Sequence, residues 1–263
     1  MALTRVTNES DDEGWVRRFH PADGRAHRLV LLPHAGGAAS FFFPFSAALA
    51  EHADVLAIQY PGRQDRRHER LLTSVEELAH GTYQALRPWA DRPLVLFGHS
   101  MGAVVAFEVA RLLERAGDPP AGLIVSGRRP PHVQRAERVH LLDDDRLLEE
   151  IRRLSGTDPG VFADADVLRM VMPAIRADYR AVETYRYRPD ADGPALACPL
   201  SVLTGDSDPR VSVQEAAGWR EFTSGPFSFR QFPGGHFYLT PRRDDVVRAI
   251  TENLDNFALP LAG

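Results

Sequence analysis

The chain of 263 residues contains no lysine and only one cysteine, Cys198. All 31 basic residues are therefore arginine, a bias that indicates a GC-rich genome rather than a function. A single cysteine excludes an internal disulfide and fits a reducing compartment, so we expect a cytoplasmic protein. Cys198 precedes a proline at the start of an apolar segment, and we interpret it as structural.

Long hydrophobic runs are also missing from this sequence. The most apolar patch, residues 41–50, is interrupted by Pro44 and is too short to span a bilayer. The first six residues lack the apolar core of a secretion signal. The net charge of −5 argues against nucleic acid as a partner. We therefore expect neither a membrane segment nor a nucleic-acid interface.

Sequence motifs for metal and nucleotide binding are absent as well. The chain has no H-E-x-x-H, no C-x-x-C and no aspartate-rich calcium loop. It also lacks the glycine-rich patterns G-x-G-x-x-G and G-x-x-x-x-G-K-[ST]. We expect no metal and no cofactor bound by this chain.

What the chain does contain is an alternation of short apolar segments with helical patterns. This order is typical of an α/β protein with a mostly parallel central sheet covered by helices on both faces. Most segments are continuously apolar, as strands buried on both faces should be, whereas the last one alternates and is expected near an edge. The predicted strands are Arg28–Leu32, Asp54–Tyr60, Leu94–Phe97, Leu123–Ser126, Leu200–Thr204 and Phe227–Phe232.

The segment Gly98-His99-Ser100-Met101-Gly102 has the form G-x-S-x-G, and its surroundings make that motif informative. An apolar segment precedes it, and residues 103–116 carry apolar side chains at helical spacing before Gly117, a typical C-cap residue. A serine on a tight turn between strand and helix is a nucleophile elbow. The flanking glycines permit a strained turn that lifts the hydroxyl clear of the sheet. We predict that Ser100 is a nucleophile.

A serine nucleophile needs a general base, and the base needs an acid that orients it. After such an elbow the partners follow in the order Ser, Asp or Glu, His. His236 is the only histidine beyond His140, so chain order selects it as the base. The turn before it offers Asp206 and Asp208 as the acid. Where such an elbow occurs, the acid commonly lies three residues after a glycine, in the register G-x-x-D. Counted from Gly205, this register favours Asp208, with Asp206 bonding the turn.

An oxyanion formed by attack of the serine needs two preorganised N–H donors. The amide of Met101, directly after the nucleophile, is the first candidate. The second is expected in the loop after an early strand, where the glycines of His34-Ala35-Gly36-Gly37 permit close approach and the Ala35 amide is the candidate donor. His34 and His99 are interpreted as neighbours that shape the loops rather than as catalytic groups.

The alternation of strands and helices stops between Gly127 and Pro194. Helical patterns occur there at about 143–154 and 164–185, without an evident strand. We interpret residues 128–194 as a helical insertion that forms a lid on a core of residues 15–127 and 195–263, with a loose tail at 1–14. Several apolar residues of the insertion are candidates for the wall of a binding channel, with ordinary packing as the alternative for each. They are Leu168, Met170, Val171, Met172, Ile175 and Tyr179.

Five motifs in this order resemble the type II thioesterases that accompany modular polyketide synthases and nonribosomal peptide synthetases. They are L-P-H-A-G-G at 32–37, Y-P-G-R at 60–63, G-H-S-M-G at 98–102, G-D-S-D-P at 205–209 and F-P-G-G-H-F at 232–237. The resemblance covers about residues 15–257 and implies an α/β-hydrolase fold. It also implies Ser100, Asp208 and His236 as the triad, with the Ala35 and Met101 amides as oxyanion donors.

The same resemblance implies a reaction and a partner. The reaction is hydrolysis of acyl thioesters on the 4′-phosphopantetheine arm of acyl carrier and peptidyl carrier proteins, which clears stalled or wrongly primed acyl groups. We expect a monomer that meets these carriers transiently, with Met170 and Met172 in contact with the acyl chain. Arginines near the channel mouth are expected to complement the acidic carrier, with a solvated loop as the alternative for the run at 63–70. They are Arg63, Arg66, Arg67, Arg128 and Arg129.

Other functions remain open on the sequence alone. A hydrolase of the same fold could act on small esters or on acyl-CoA, and a chain-releasing thioesterase domain would carry the same motifs. A non-catalytic binding module is the alternative of a different class. The presence of Ser100, Asp208 and His236 in the required order argues against that last alternative.

Overall fold

A computed structural model of the chain describes residues 14–155, 165–190 and 194–258. For residues 155, 165 and 166 it describes the backbone alone. The predicted tail at 1–14 lies outside the described residues except for Gly14. Along the described chain, no helix is both long and apolar enough to cross a membrane.

A single sheet runs through the described part of the chain and is parallel except at one edge. Its order is β1-β3-β2-β4-β5-β6-β7, and only the pairing of β1 with β3 is antiparallel. The strands are β1 (Val16–Arg17), β2 (Arg28–Leu32), β3 (Asp54–Ile58), β4 (Leu94–His99), β5 (Gly122–Ser126), β6 (Leu200–Gly205) and β7 (Phe227–Phe232). The predicted α/β class is confirmed, and the alternating strand β7 lies at an edge as expected. Strand β1 was not predicted, because two residues carry no readable pattern.

Helices cover both faces of the sheet and create two apolar layers. The helices are α1 (Phe43–Leu49), α2 (Val75–Leu86), α3 (Met101–Ala116), α4 (Asp144–Ser155), α5 (Ala165–Thr184), α6 (Val213–Ala217) and α7 (Arg243–Phe257). Along β2, Val30 and Leu32 pack with α2 and α3 in one layer, and Leu29 and Leu31 pack with α1 and α7 in the other, as the two-residue period of a strand requires.

Helices α4 and α5 belong to the segment 128–194, and every strand of the described sheet lies outside that segment. The two helices enclose a small apolar cluster that contains Val139, Leu147, Met172 and Ile175. Arg176 on α5 ties them together, because it donates to the carbonyls of residues 140 and 142 and to the carboxylate of residue 144. The segment therefore has its own packing besides its contacts with the core.

The turn between β4 and α3 depends on two glycines that allow backbone to approach backbone. A Cβ added to Gly102 would lie 2.1 Å from the carbonyl oxygen of Leu32 on β2. A Cβ added to Gly98 would lie 2.1 Å from the carbonyl oxygen of Gly102. Because these neighbours are backbone atoms, no side-chain rotation can make room for a methyl group.

We expect Gly102→Ala to destabilise the protein, since α3 must move away from β2 to admit the methyl group. We expect the free energy of unfolding to fall by about 3 kcal/mol, which corresponds to a fall in Tm of about 6–12 °C for a chain of this size. Differential scanning calorimetry measures it. Gly218→Ala is the matched control, because its Cβ would meet only the Pro130 ring at 3.2 Å. Equal Tm values for the two variants would contradict the prediction.

Candidate active site

Ser100 occupies the turn between β4 and α3 in a conformation that is unusual for a residue with a side chain. Its φ of 55° and ψ of −112° lie outside the regions that such residues normally adopt. Its amide donates to the carbonyl of Ser126 at the end of β5, at 2.8 Å. The strain is thus held by the neighbouring strand, as in a nucleophile elbow.

His236 and Asp208 complete a chain of hydrogen bonds that begins at Ser100. Nε2 of His236 lies 2.9 Å from Oγ of Ser100, and Nδ1 lies 2.8 Å from Oδ2 of Asp208. Both residues are buried, and Oδ1 of Asp208 accepts a further bond from the Arg210 amide at 2.8 Å. With the Nδ1 proton donated to Asp208, Nε2 can accept the proton of the serine hydroxyl.

Asp206 lies on the same turn but bonds in a different direction. It accepts from the amide of Gly234 and from the hydroxyl of Ser207, both at 3.0 Å. The Gly234 amide, followed by the Ser207 hydroxyl, holds the pKa of Asp206 below its usual value. The structure therefore brings Asp208 to His236, and Asp206 links its turn to the loop that carries His236.

Two backbone amides near Ser100 are available to a developing oxyanion. Met101 is the first residue of α3, where a helix leaves its N–H groups without an internal partner. Ala35 lies in the loop after β2 and lines the same cavity as Met101. Within the described chain, neither amide donates a hydrogen bond to protein, so both are free for the role predicted from sequence.

A cavity of about 820 Å³ lies over Ser100 and His236. Its size is that of a small-molecule site. The core contributes aromatic surface through Phe41, Phe237 and Tyr238. The segment 128–194 contributes a mostly apolar wall. That wall includes Ile151, Leu154, Val167, Val171, Ile175, Tyr179 and Val182.

Met170 and Met172 do not belong to that wall, contrary to the prediction. Met170 is 56% exposed, and Met172 is buried in the cluster between α4 and α5. On α5, residues four apart share a face, and the cavity face is the one with Val171. Met170 and Met172 each lie about 100° away from Val171 around the helix. Of the six candidate wall residues, Val171, Ile175 and Tyr179 do line the cavity.

The five arginines expected near the channel mouth do not form one charged patch. Arg63, Arg66 and Arg129 are buried, and each has a carboxylate partner within the protein. Arg67 is exposed. Arg128 lines the cavity itself, where burial lowers its pKa to about 9. The expectation of a complementary basic surface therefore fails, because most of these guanidiniums are used in folding.

His34 and His99 stand beside His236 as neutral rings. His99 lies 5.2 Å from His236 between ring centroids, and its Nδ1 is 2.9 Å from Oγ of Ser126. The ring of His34 contacts those of Phe41 and Phe237, both at 4.7 Å. Burial lowers the pKa of His34 to about 3 and that of His99 well below its usual value.

Sequence reasoning missed several groups around the site. Phe237 and Tyr238 follow His236 directly. The ring of Phe237 packs against that of His236, and the Tyr238 hydroxyl lies 2.7 Å from Oγ of Ser126, the partner of His99. Their position after the predicted base was the available signal. Asp178 reaches the loop of Ala35 from α5, and no local pattern marks it.

No group of three or more metal-ligating side chains occurs among the described residues.

The sheet order and the arrangement of Ser100, His236 and Asp208 together define an α/β-hydrolase. Comparison with known proteins identifies the family within this class to which the chain belongs. The sequence matches the family described as "Thioesterase domain" over residues 27–254. The chain belongs to the thioesterase family.

Relatives of this chain include thioesterases named for biosynthetic pathways. A probable cadicidin biosynthesis thioesterase of Streptomyces griseus is 52% identical over 95% of this chain and 68% of its own. Thioesterase PikA5 of Streptomyces venezuelae is 53% identical over 91% of this chain and 85% of its own. Among solved structures, the type II thioesterase BorB from the borrelidin biosynthetic cluster is similar with a TM-score of 0.85. It is 51% identical and covers 94% of this chain and 100% of its own. The resemblance to type II thioesterases is confirmed.

We expect Asp208→Asn to lose far more activity than Asp206→Asn. Asparagine at 208 can keep its oxygen on the Arg210 amide and direct its NH2 group to Nδ1 of His236, which favours the wrong tautomer of the ring. This loss of an orienting carboxylate costs on the order of 10⁴-fold in a well-studied serine hydrolase. Asparagine at 206 keeps an acceptor for the Gly234 amide, so we expect a loss below about tenfold. The kcat/KM of each variant is measured on the same acyl thioester in the steady state. The reverse ranking of the two variants would assign the orienting role to Asp206.

We expect the free energy of unfolding to fall as pH drops below about 6.5, partly because of His99. The folded protein keeps this ring neutral, whereas the unfolded chain binds a proton there. Each such histidine therefore removes up to about 1.4 kcal/mol per pH unit, down to its folded-state pKa. The free energy of unfolding is measured with urea between pH 7 and pH 4.5. It should fall less steeply with decreasing pH in His99→Asn than in the wild-type protein. His68→Asn, at an exposed position, is the control, and equal slopes for the two would contradict the assignment.

Proposed function

We propose that the protein is a serine thioesterase that hydrolyses acyl groups from the phosphopantetheine arm of carrier proteins. The observation that carries the proposal is the hydrogen-bonded series Ser100–His236–Asp208 beneath a largely apolar cavity. Membership of the thioesterase family supports the same reaction. The similarity to YbtT, a type II thioesterase from the yersiniabactin NRPS/PKS biosynthetic pathway, at 31% identity and a TM-score of 0.80, supports a role in polyketide or nonribosomal peptide biosynthesis.

The first half of the reaction acylates the enzyme. His236 takes the proton of Ser100 at Nε2 while Oγ attacks the thioester carbonyl. The carbonyl oxygen gains negative charge and accepts hydrogen bonds from the amides of Ala35 and Met101. Asp208 stabilises the imidazolium that forms. The C–S bond then breaks, His236 gives its proton to the sulfur, and the thiol of the carrier arm leaves.

The second half releases the acyl group as a free acid. His236, neutral again, takes a proton from water, and the hydroxide formed attacks the ester carbonyl of acyl-Ser100. The same two amides stabilise the second oxyanion. When it collapses, Oγ of Ser100 leaves and regains its proton from His236. The neutral state of His34 and His99 favours this cycle, since no further positive charge opposes the imidazolium.

The role we propose is the removal of stalled or aberrant acyl groups. The cavity wall consists of aliphatic and aromatic side chains, which fits acyl chains of varied structure because apolar contacts carry little directional selectivity. A carrier meets the enzyme only for one turnover, so a transient contact is sufficient. A chain-releasing thioesterase and a general acyl-CoA hydrolase are the alternatives that an experiment must separate.

The test compares one acyl group on two carriers. We expect a higher kcat/KM for the acyl group on a carrier protein than for the same group on coenzyme A, because protein contacts add binding to the same chemistry. Ser100→Ala should remove turnover on both, by several powers of ten. Equal kcat/KM on both thiols would favour the acyl-CoA hydrolase, and near-normal turnover by folded Ser100→Ala would exclude the serine mechanism.

A further inference from the structure

Asp178 connects helix α5 of the segment 128–194 to the loop that carries Ala35. Its side chain is fully buried. Oδ2 accepts a hydrogen bond from the amide of Gly36 at 2.7 Å. Gly36 directly follows Ala35, so the bond fixes the peptide plane on the carboxyl side of that residue.

Arg63 holds the same carboxylate from the other side. Its Nη1 and Nη2 lie 2.9 Å from Oδ2 and Oδ1 of Asp178, a two-pronged pairing that sets the orientation of both groups. The same Nη1 donates to the carbonyl of Gly37 at 3.1 Å. Arg63 therefore reaches the loop directly and also through Asp178.

A further contact keeps the loop close to α5. Gly36 has a φ of +77°, and a Cβ there would lie 2.8 Å from Cγ1 of Ile175. The loop closes on itself through the Gly37 amide, which donates to the carbonyl of His34 at 2.9 Å. The amides of Gly36 and Gly37 are thus both engaged, whereas the Ala35 amide donates no hydrogen bond within the described chain, and Ala35 lines the cavity.

We propose that Asp178 and Arg63 are positioning residues for the oxyanion hole, which they assemble by holding residues 34–37 against α5. The inference rests on the proposed function. Helix α5 also carries Val171, Ile175 and Tyr179 of the cavity wall, so one helix sets both the acyl wall and the position of the oxyanion donor. The active geometry then exists only while α5 is docked on the loop.

The energetic argument favours a defined geometry over added stability. A buried ion pair contributes little net stability, because desolvation of both charges offsets their attraction. Its geometry is nevertheless strict, because an unpaired buried carboxylate is costly. A displacement of about 1 Å in a reacting group can cost about 10²-fold in rate. The intact pair next to an oxyanion donor therefore adds little net stability, while its geometry affects the rate.

The experiment uses Asp178→Asn, which keeps the shape and removes the charge, and Arg63→Lys, which keeps the charge and removes the two-pronged geometry. We expect kcat/KM to fall about 10- to 100-fold in each, mainly through kcat, since one fully lost oxyanion donor costs about 10²–10³-fold. The double variant should lose little more than the single ones, because both act on the same loop.

A transition-state analogue separates positioning from general damage. An acyl trifluoromethyl ketone forms a hemiketal with Ser100, and the resulting oxyanion needs the Ala35 and Met101 amides. We expect its Ki to rise by the same factor by which kcat/KM falls. The Kd of a non-hydrolysable amide analogue, which carries no oxyanion, should change less than about twofold.

Glu108→Gln is the matched control. It removes the charge of another buried pair, with Arg111 at 2.7 Å, eight residues along α3 from Ser100, or about 12 Å. We expect Glu108→Gln to lower Tm without changing the ratio between the Ki of the ketone and the Kd of the amide analogue. Folded Asp178 and Arg63 variants with unchanged kcat/KM, or with an unchanged Ki for the ketone, would overturn the inference. Failure of the wild-type protein to form the Ser100 adduct, read by mass spectrometry, would overturn the proposed function and this inference with it.

Discussion

The strained turn at Ser100 is the constraint on which the rest of the site depends. Its backbone is held by the hydrogen bond that the Ser100 amide donates to the carbonyl of Ser126, and by the close approach of Gly102 to β2. These contacts direct the serine hydroxyl into the cavity and make Met101 the first residue of α3. The nucleophile and one oxyanion donor thus arise from a single turn, and the remaining groups need only be brought to it.

Charge around that turn is controlled by burial and by hydrogen bonds. Asp208 is held on both oxygens, because Oδ2 lies 2.8 Å from Nδ1 of His236 and Oδ1 accepts from the Arg210 amide. His34 and His99 are neutral because their rings lie among aromatic side chains, where a positive charge would be poorly solvated. Of these three rings, His236 alone has both a carboxylate partner, Asp208, and the serine partner Ser100.

Described residues of the segment 128–194 contribute to the site in two ways. Its helix α5 supplies cavity wall through Val171 and Ile175 and reaches the oxyanion loop through Asp178. If Asp178 and Arg63 position that loop as we propose, α5 links the cavity wall to the arrangement of the oxyanion donors. Arg63, whose motif suggests a charged surface loop, is buried as a partner of α5.

The sequence by itself determined the sheet class, the elbow, and Ser100 and His236 as partners, because these depend on local periodicity, glycine positions and chain order. It also favoured Asp208, since the register of a short turn is a local property. Only the tertiary structure decided which face of α5 lines the cavity, which excluded Met170 and Met172. It likewise decided that Arg63 pairs with Asp178, 115 positions away. The cavity face of α5 and the Arg63–Asp178 pair depend on how distant segments pack, and local sequence patterns do not specify that packing.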